Sequence, residues 1–471
     1  MNTNSTKQFI DQFWDQSVLP ALKDYVAIPC KSPMFDTDWK QNGHLDNAVR
    51  HCKKWCESLG ISGLQAEIYN IEDRTPLLFI EIPGVNDDHN VLVYGHLDKQ
   101  PEAQGWDANK GPWTPVVEDE KLYGRGAADD GYALFSAMSS IAALKNQGLS
   151  HPTIKLFIEC SEESGSPDIK AYLDSLKDRI GIPDLVLVLD SGCGNYDQLW
   201  ITTSLRGLIG GNLTVRILSE AVHSGDASGI VPSSFRIIRK ILSRIEDPEN
   251  GEIKPEFLHD KTPDTRMQEA KQAAEVLGEE IYNQFPFVEG ASPLSKNLTS
   301  LVLNRTWRPT LCITGEDGIP TTSDAGNALR PLTTLKLSLR LPPTLPAKAS
   351  NKLLKKLLEK DPPYGAQVTY KIQKGGRGWN APEFRNWLQN SINKASDDFY
   401  GQSPMYMGEG GSIPLISMLG KRFKDAQFVI TGVLGPHSNA HGPNEFLHLP
   451  MVKRLSACIA MLLFDQSQRG K

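Results

Sequence analysis

Short, nearly continuous apolar runs punctuate the amino-terminal part of the chain. They fall at residues 78–82, 91–98, 153–160 and 184–190, are rich in aliphatic and β-branched side chains, and predict strands buried on both faces. Between them, residues 132–147 carry a helical pattern that ends at Gly148, a residue suited to a C-terminal cap. This βα alternation predicts an α/β layered domain with a mainly parallel sheet. From about residue 205 the texture changes. Residues 210–218 read as a strand, followed by the segment 225–231 and a helix near 233–245. Residues 246–296 are polar, contain prolines and read as a partly helical insertion. Residues 335–341 (LKLSLRL) alternate cleanly, the mark of a sheet with one wet face, and residues 352–360 supply a helix. After the glycine-rich stretch from Lys374 to Gly378, α/β character returns. The expected architecture is a larger α/β domain (1–204 and 377–471) carrying an inserted, smaller α+β domain (205–376).

Composition narrows the class. The 471 residues exceed one ordinary core, and 39% hydrophobic with 23% charged residues describe a globular chain. A net charge of -6 gives no general attraction to nucleic acid or anionic lipid, so neither is expected as a partner. The longest apolar run, residues 457–464, is too short to span a bilayer, and the polar amino terminus does not resemble a signal peptide. Seven scattered cysteines, with Cys52 and Cys56 one helical turn apart and no second pair, read as buried thiols in a reducing cytoplasm.

The chemistry lies at the ends of the apolar runs. One enters His96-Leu-Asp98, another Glu162-Glu163, and a third ends at Asp190, with Gly124-Arg-Gly-Ala-Ala-Asp129-Asp130 between them. Open α/β sheets place their sites at the carboxyl ends of their strands. Each piece has an ordinary reading when taken alone. His-x-Asp is a solvated loop or a metal ligand with a carboxylate fixing its tautomer. Glu162-Glu163 is a pair of surface acids or a ligand beside a general base. Asp129-Asp130 caps a helix or binds metal. Their conjunction favours metal chemistry. Serine-elbow, phosphate-loop and dinucleotide fingerprints are absent from the sequence.

Taken in order, Tyr94-Gly-His-Leu-Asp98, Gly105-Trp-Asp107, Lys121-Leu-Tyr-Gly-Arg-Gly-Ala-Ala-Asp-Asp130 and Ser161-Glu-Glu-Ser-Gly-Ser166 resemble the zinc aminoacylase/carnosinase family of metallopeptidases. Trp307-Arg-Pro-Thr-Leu311, Gly315-Glu-Asp-Gly318 and Gly408-Glu-Gly-Gly-Ser-Ile-Pro414 are most similar to its cytosolic nonspecific dipeptidase (carnosinase) branch. The resemblance implies two divalent cations, Zn2+ foremost with Mn2+ or Co2+ as alternatives. His96 and Asp190 would hold one cation, Glu163 and His441 the other, and Asp129 would bridge them. His437 competes with His441 locally but lacks the Pro-Asn-Glu that follows the latter. Glu162 becomes the general base and Asp98 the supporting carboxylate, with a cis peptide after Asp129. His223 would supply an oxyanion donor, often across a dimer interface, and Arg340 would clamp the substrate carboxylate, its alternative being a solvated strand arginine. Asn327 and Ser412 are further substrate contacts on the same resemblance. The implied activity is hydrolysis of dipeptides or small peptides by a homodimer. Removal of an acyl group from an N-acyl amino acid is the alternative, and a catalytically silent metal-binding protein a further one. One departure stands out: relatives commonly continue Asp-Asp-Lys-Gly, where this chain has Asp129-Asp130-Gly131-Tyr132.

Overall fold

The computed structural model describes residues 1–84, 89–373 and 375–469. Lys374, the first residue of the glycine-rich stretch, lies outside them. The chain divides into two compact units: residues 1–202, 381–406 and 418–471 form the first, and residues 203–380 with 407–417 form the second.

The first unit is built on a six-stranded sheet. Its order is Gln65–Tyr69, Leu77–Ile82, Thr153–Glu159, Asn90–His96, Leu185–Val188 and Gln427–Ile430. Asn90–His96 runs parallel to both Thr153–Glu159 and Leu185–Val188, and Gln427–Ile430 is parallel to Leu185–Val188. Leu77–Ile82 joins antiparallel to Thr153–Glu159 and carries Gln65–Tyr69 antiparallel at the edge. The mainly parallel α/β sheet expected from the apolar runs is therefore present. Central strands are almost wholly buried, which is why their sequences do not alternate. The helix Tyr132–Asn146 is buried nearly all round and packs against the carboxyl-terminal helix Leu449–Ser467. That last helix is longer than the apolar run 457–464 that announced it. It starts with His448 accepting a hydrogen bond from the amide of Met451 and with Pro450 in its first turn, where a missing N–H costs nothing. No helix among the described residues is long and apolar enough to cross a membrane.

The second unit is organised by a four-stranded antiparallel sheet in the order Thr310–Asp317, Leu332–Leu341, Gly207–Arg216, Gln367–Ile372. Leu332–Leu341 and Gly207–Arg216 alternate buried and part-exposed positions along their length. The buried set (Ile209, Leu213, Val215, Leu335, Leu337, Leu339) packs under the helices Ser234–Leu242 and Ala347–Glu359 through Ile237, Ile238, Ile241, Leu354 and Leu358. The polar stretch 246–296 contributes the helix Asp264–Leu277. Residues 407–417, which the sequence grouped with the larger domain, cluster with this second unit and bring Ser412 beside Arg340.

Candidate metal centre

The centre is assembled in the first unit at the carboxyl ends of three adjacent parallel strands. His96 is the last residue of Asn90–His96 and pairs in register with Glu159; the turn Glu162–Ser164 follows Thr153–Glu159, and Asp190 follows Leu185–Val188. Gly95 must lack a side chain here, because a Cβ would stand 2.8 Å from Ala133 Cβ and 2.9 Å from Asp130 Oδ2. That Asp130 oxygen accepts a hydrogen bond from the amide of His96 at 3.2 Å.

His96 is buried, and its ring Nδ1 lies 3.0 Å from the main-chain carbonyl of Asp98. A carbonyl can only accept, so Nδ1 carries the hydrogen and Nε2 presents its lone pair in the neutral ring. Nε2 stands 3.3 Å from Asp129 Oδ1 and 3.9 Å from Asp190 Oδ2, and is buried without a hydrogen-bond partner. The Asp98 carboxylate is 3.5 Å from Nδ1, and its main engagement is elsewhere. Its two oxygens accept the amides of Glu162 and Glu163, each at 3.0 Å. The ring tautomer, expected to be fixed by this carboxylate, is held most closely by the main-chain carbonyl of the same residue, and the side chain also sets the turn bearing the two glutamates.

Asp129 faces both ways. Its Oδ2 is 2.9 Å from His441 Nε2 while Oδ1 points to His96, and the Asp129–Asp130 peptide is cis, as expected. Glu163 Oε1 lies 3.5 Å from His441 Nε2 and is buried without a hydrogen-bond partner; Oε2 accepts from Gln100 at 2.6 Å. Two clusters result, His96–Asp129–Asp190 and Asp129–Glu163–His441, each with ligand atoms within 4.8 Å of one another and with Asp129 common to both. His437 is exposed and belongs to neither. Gly131 has no room for a side chain: a Cβ would meet the Tyr25 ring at 2.1 Å.

The electrostatics call for cations. Burial, reinforced by Asp190, pushes the Glu162 carboxyl well above the ordinary range, and burial with Asp129 raises Glu163 likewise. Asp129 is pulled the other way: burial opposes its charge, but the hydrogen bond from His441 and the neighbouring His96 ring outweigh that and lower it. His441 is raised to about 9, chiefly by Asp129. Acids crowded this closely, with an orphaned imidazole nitrogen and an orphaned carboxylate oxygen, fit a pair of divalent cations, which would supply the missing partners and cancel the repulsion.

Residues not singled out from sequence support this core. Glu159 accepts the hydroxyls of Tyr94 (2.7 Å), Ser166 (2.8 Å) and Ser161 (3.0 Å), framing the Glu162–Ser164 turn. A charged residue at the end of an apolar strand was the available signal for it. Of the remaining sequence candidates, His223, Asn327, Arg340 and Ser412 lie in the second unit. His223 is two-thirds exposed and 3.5 Å from Asp226, and its neighbour Ser224 bonds to the carbonyl of Asn327 at 2.9 Å. Arg340 Nη1 is 3.3 Å from Ser412 Oγ, whose hydroxyl donates to the carbonyl of Arg206.

Comparison with known proteins accords with this centre. Residues 92–464 match the family model described as peptidase family M20/M25/M40. A cysteinylglycine-S-conjugate dipeptidase of Corynebacterium striatum is 28% identical over 382 residues, covering 80% of each chain. The Beta-Ala-His dipeptidase of Homo sapiens is 24% identical over 465 residues, covering 96% of this chain and 90% of its own. Among solved structures, the di-peptidase Dug1p of Saccharomyces cerevisiae superposes with a TM-score of 0.74 at 22% identity, over 99% of both chains. Human carnosine dipeptidase 1 gives 0.72 at 21%, over 99% of this chain and 100% of that one. A family match over most of the length, spanning the strand ends and the loops that gather these histidines and carboxylates, places the chain in peptidase family M20/M25/M40, as a hydrolase.

Proposed function

We propose that this hydrolase cleaves the amide bond of dipeptides, using two divalent cations held by His96, Asp129, Asp190, Glu163 and His441. The single observation that carries the reading is Asp129, whose two carboxylate oxygens face two different histidines. Such cations supply Lewis acidity and bring water toward deprotonation near neutral pH. Zn2+ is the favoured metal, and the mixed nitrogen and oxygen donors also suit Mn2+ or Co2+. Glu162, on a turn fixed by Asp98, takes the proton of the attacking water and delivers it to the leaving nitrogen. His223 supplies a donor to the developing oxyanion. Arg340, steadied by Ser412, takes the free carboxylate of the substrate, with Asn327 as a further contact. The names of the relatives, dipeptidases for Cys-Gly and β-Ala-His substrates, favour dipeptides over N-acyl amino acids. A panel containing both substrate classes, assayed with Zn2+, Mn2+ and Co2+, tests this; turnover confined to N-acyl amino acids would refute it. Arg340→Met is expected to raise KM for dipeptides about tenfold or more, as loss of a charge-assisted bond of roughly 1.5–3 kcal/mol implies. An unchanged KM would remove Arg340 from the site.

Metal uptake should be coupled to protons. In the metal-free chain His441 holds its proton up to about pH 9, because Asp129 stabilises the imidazolium. A cation must displace that proton, so affinity rises with pH up to that value and falls on acidification. Calorimetry at pH 7 in buffers of different ionisation enthalpy should report proton release on binding. Absence of release would contradict ligation by His441.

The second unit and the cysteines support a reading of assembly and location. The edge strand Thr310–Asp317 pairs on one side with Leu332–Leu341 and is exposed from Cys312 onward, which suits pairing with a second copy. Sedimentation should report a homodimer weakened by Ile313→Lys; a fully active monomer would rule this out. All seven cysteines are free, which favours the cytoplasm.

A further inference from the structure

Three segments that carry the family resemblance, Gly105-Trp-Asp107, Gly124-Arg-Gly126 and the run from His441 to Glu445, have parts that the catalytic reading leaves unused. They meet at one buried ion pair. Arg125 Nη1 donates to Glu445 Oε2 at 2.6 Å, and the two side chains are 1% and 0% exposed. Both groups are otherwise engaged with backbone. Arg125 Nη2 donates to the carbonyl of Gly442 at 2.7 Å and Nε to the carbonyl of Pro101 at 3.1 Å. Glu445 Oε1 accepts the amides of Gly126 at 3.0 Å and of Ala128 and Asp129 at 3.3 Å.

These bonds have a common address. Gly442 adjoins His441, the three amides belong to the turn ending at Asp129, and Pro101 follows Asp98, Lys99 and Gln100 in the loop after His96. One guanidinium–carboxylate pair therefore ties together the three segments that carry His96, Asp129 and His441. Glycines flank Arg125 for a reason. A Cβ at Gly124 would lie 2.3 Å from Val26 Cγ1, and one at Gly126 would lie 2.6 Å from Lys99 Cε. The Trp106 ring stands 5.8 Å from the guanidinium carbon, and Asp107 and Asn444 exchange hydrogen bonds at 3.0 and 3.1 Å across the same junction.

We propose that Arg125 and Glu445 are positioning residues that hold the His441 loop against the Asp129 turn and thereby set the affinity of the cation shared by Asp129, Glu163 and His441. The proposal rests on the two-cation reading above. The cation of the His96–Asp129–Asp190 cluster depends on the pair less, since two of its ligands sit directly at strand ends.

A purely structural ion pair makes a different prediction, and the two are separable. Replacing both members by apolar residues of similar volume generally preserves stability, whereas removing one leaves a buried charge uncompensated. The experiment titrates Co2+ into the chelator-stripped full chain, following visible absorption for occupancy and circular dichroism for folding. Wild type, Glu445→Gln, Arg125→Lys and the double variant Arg125→Met/Glu445→Leu are compared. The wild type is expected to take up two equivalents. The double variant should remain folded, keep one equivalent, and bind the second roughly 10- to 100-fold more weakly; Glu445→Gln, less stable because Arg125 is left charged, should show the same loss at temperatures where circular dichroism reports it folded. Arg125→Lys, which retains the charge but not the forked bonds to Gly442 and Pro101, should fall between. Wild-type affinity for both equivalents in either Glu445→Gln or a folded double variant overturns the positioning role. A wild type that binds fewer than two equivalents overturns the two-cation reading instead, and the proposal with it.

Discussion

Glu162→Ala is expected to keep its metal while kcat falls about 100- to 10,000-fold, the range over which a positioned general acid–base acts. The Glu162 side chain belongs to neither ligand cluster. Its turn is fixed through the backbone, because the Asp98 carboxylate accepts the amides of residues 162 and 163 whatever side chain stands at 162. Removing the carboxylate therefore deletes the proton acceptor without moving Glu163. KM should change little, because no substrate contact is lost. Metal analysis beside steady-state kinetics checks this directly. Loss of metal would make Glu162 a ligand, and wild-type kcat would hand the base role to another group.

Asp129→Ala should do more. Its two oxygens address His96 and His441, so one substitution takes a ligand from both clusters. It also removes the charge that raises His441, whose basicity then falls toward that of an ordinary histidine. The expected result is loss of both equivalents of metal on dialysis and activity at the uncatalysed background. His441→Ala should lose one equivalent and retain the other. An Asp129→Ala protein that still carries two equivalents would refute the bridge.

The residues of the two candidate clusters were legible because buried parallel strands strip the sequence to apolar runs, leaving the polar side chains where each run stops. His96, Glu162 with Glu163, and Asp190 all stand at such stops. Asp129 and His441 lie on turns with no periodic signal, and only their motifs marked them. What could not be read is what hydrogen bonding decides in three dimensions. Asp98 was noticed, yet its division of labour, main-chain carbonyl to His96 and carboxylate to the glutamate amides, follows from backbone geometry that spacing does not encode. Arg125 and Glu445 are 320 positions apart and look like ordinary surface charges until the fold buries them together. Residues 407–417 joined the second unit for a similar reason, since Ser412 finds its partners in Arg206 and Arg340, far away in sequence.

The proposed sharing of Asp129 by two cations is open to direct observation. A crystal of the Zn2+-loaded protein, with data collected on either side of the zinc absorption edge, should give two anomalous peaks roughly 3.5–4 Å apart. One should touch His96, Asp129 and Asp190, and the other Asp129, Glu163 and His441. A single peak, or peaks away from these five side chains, would contradict the account.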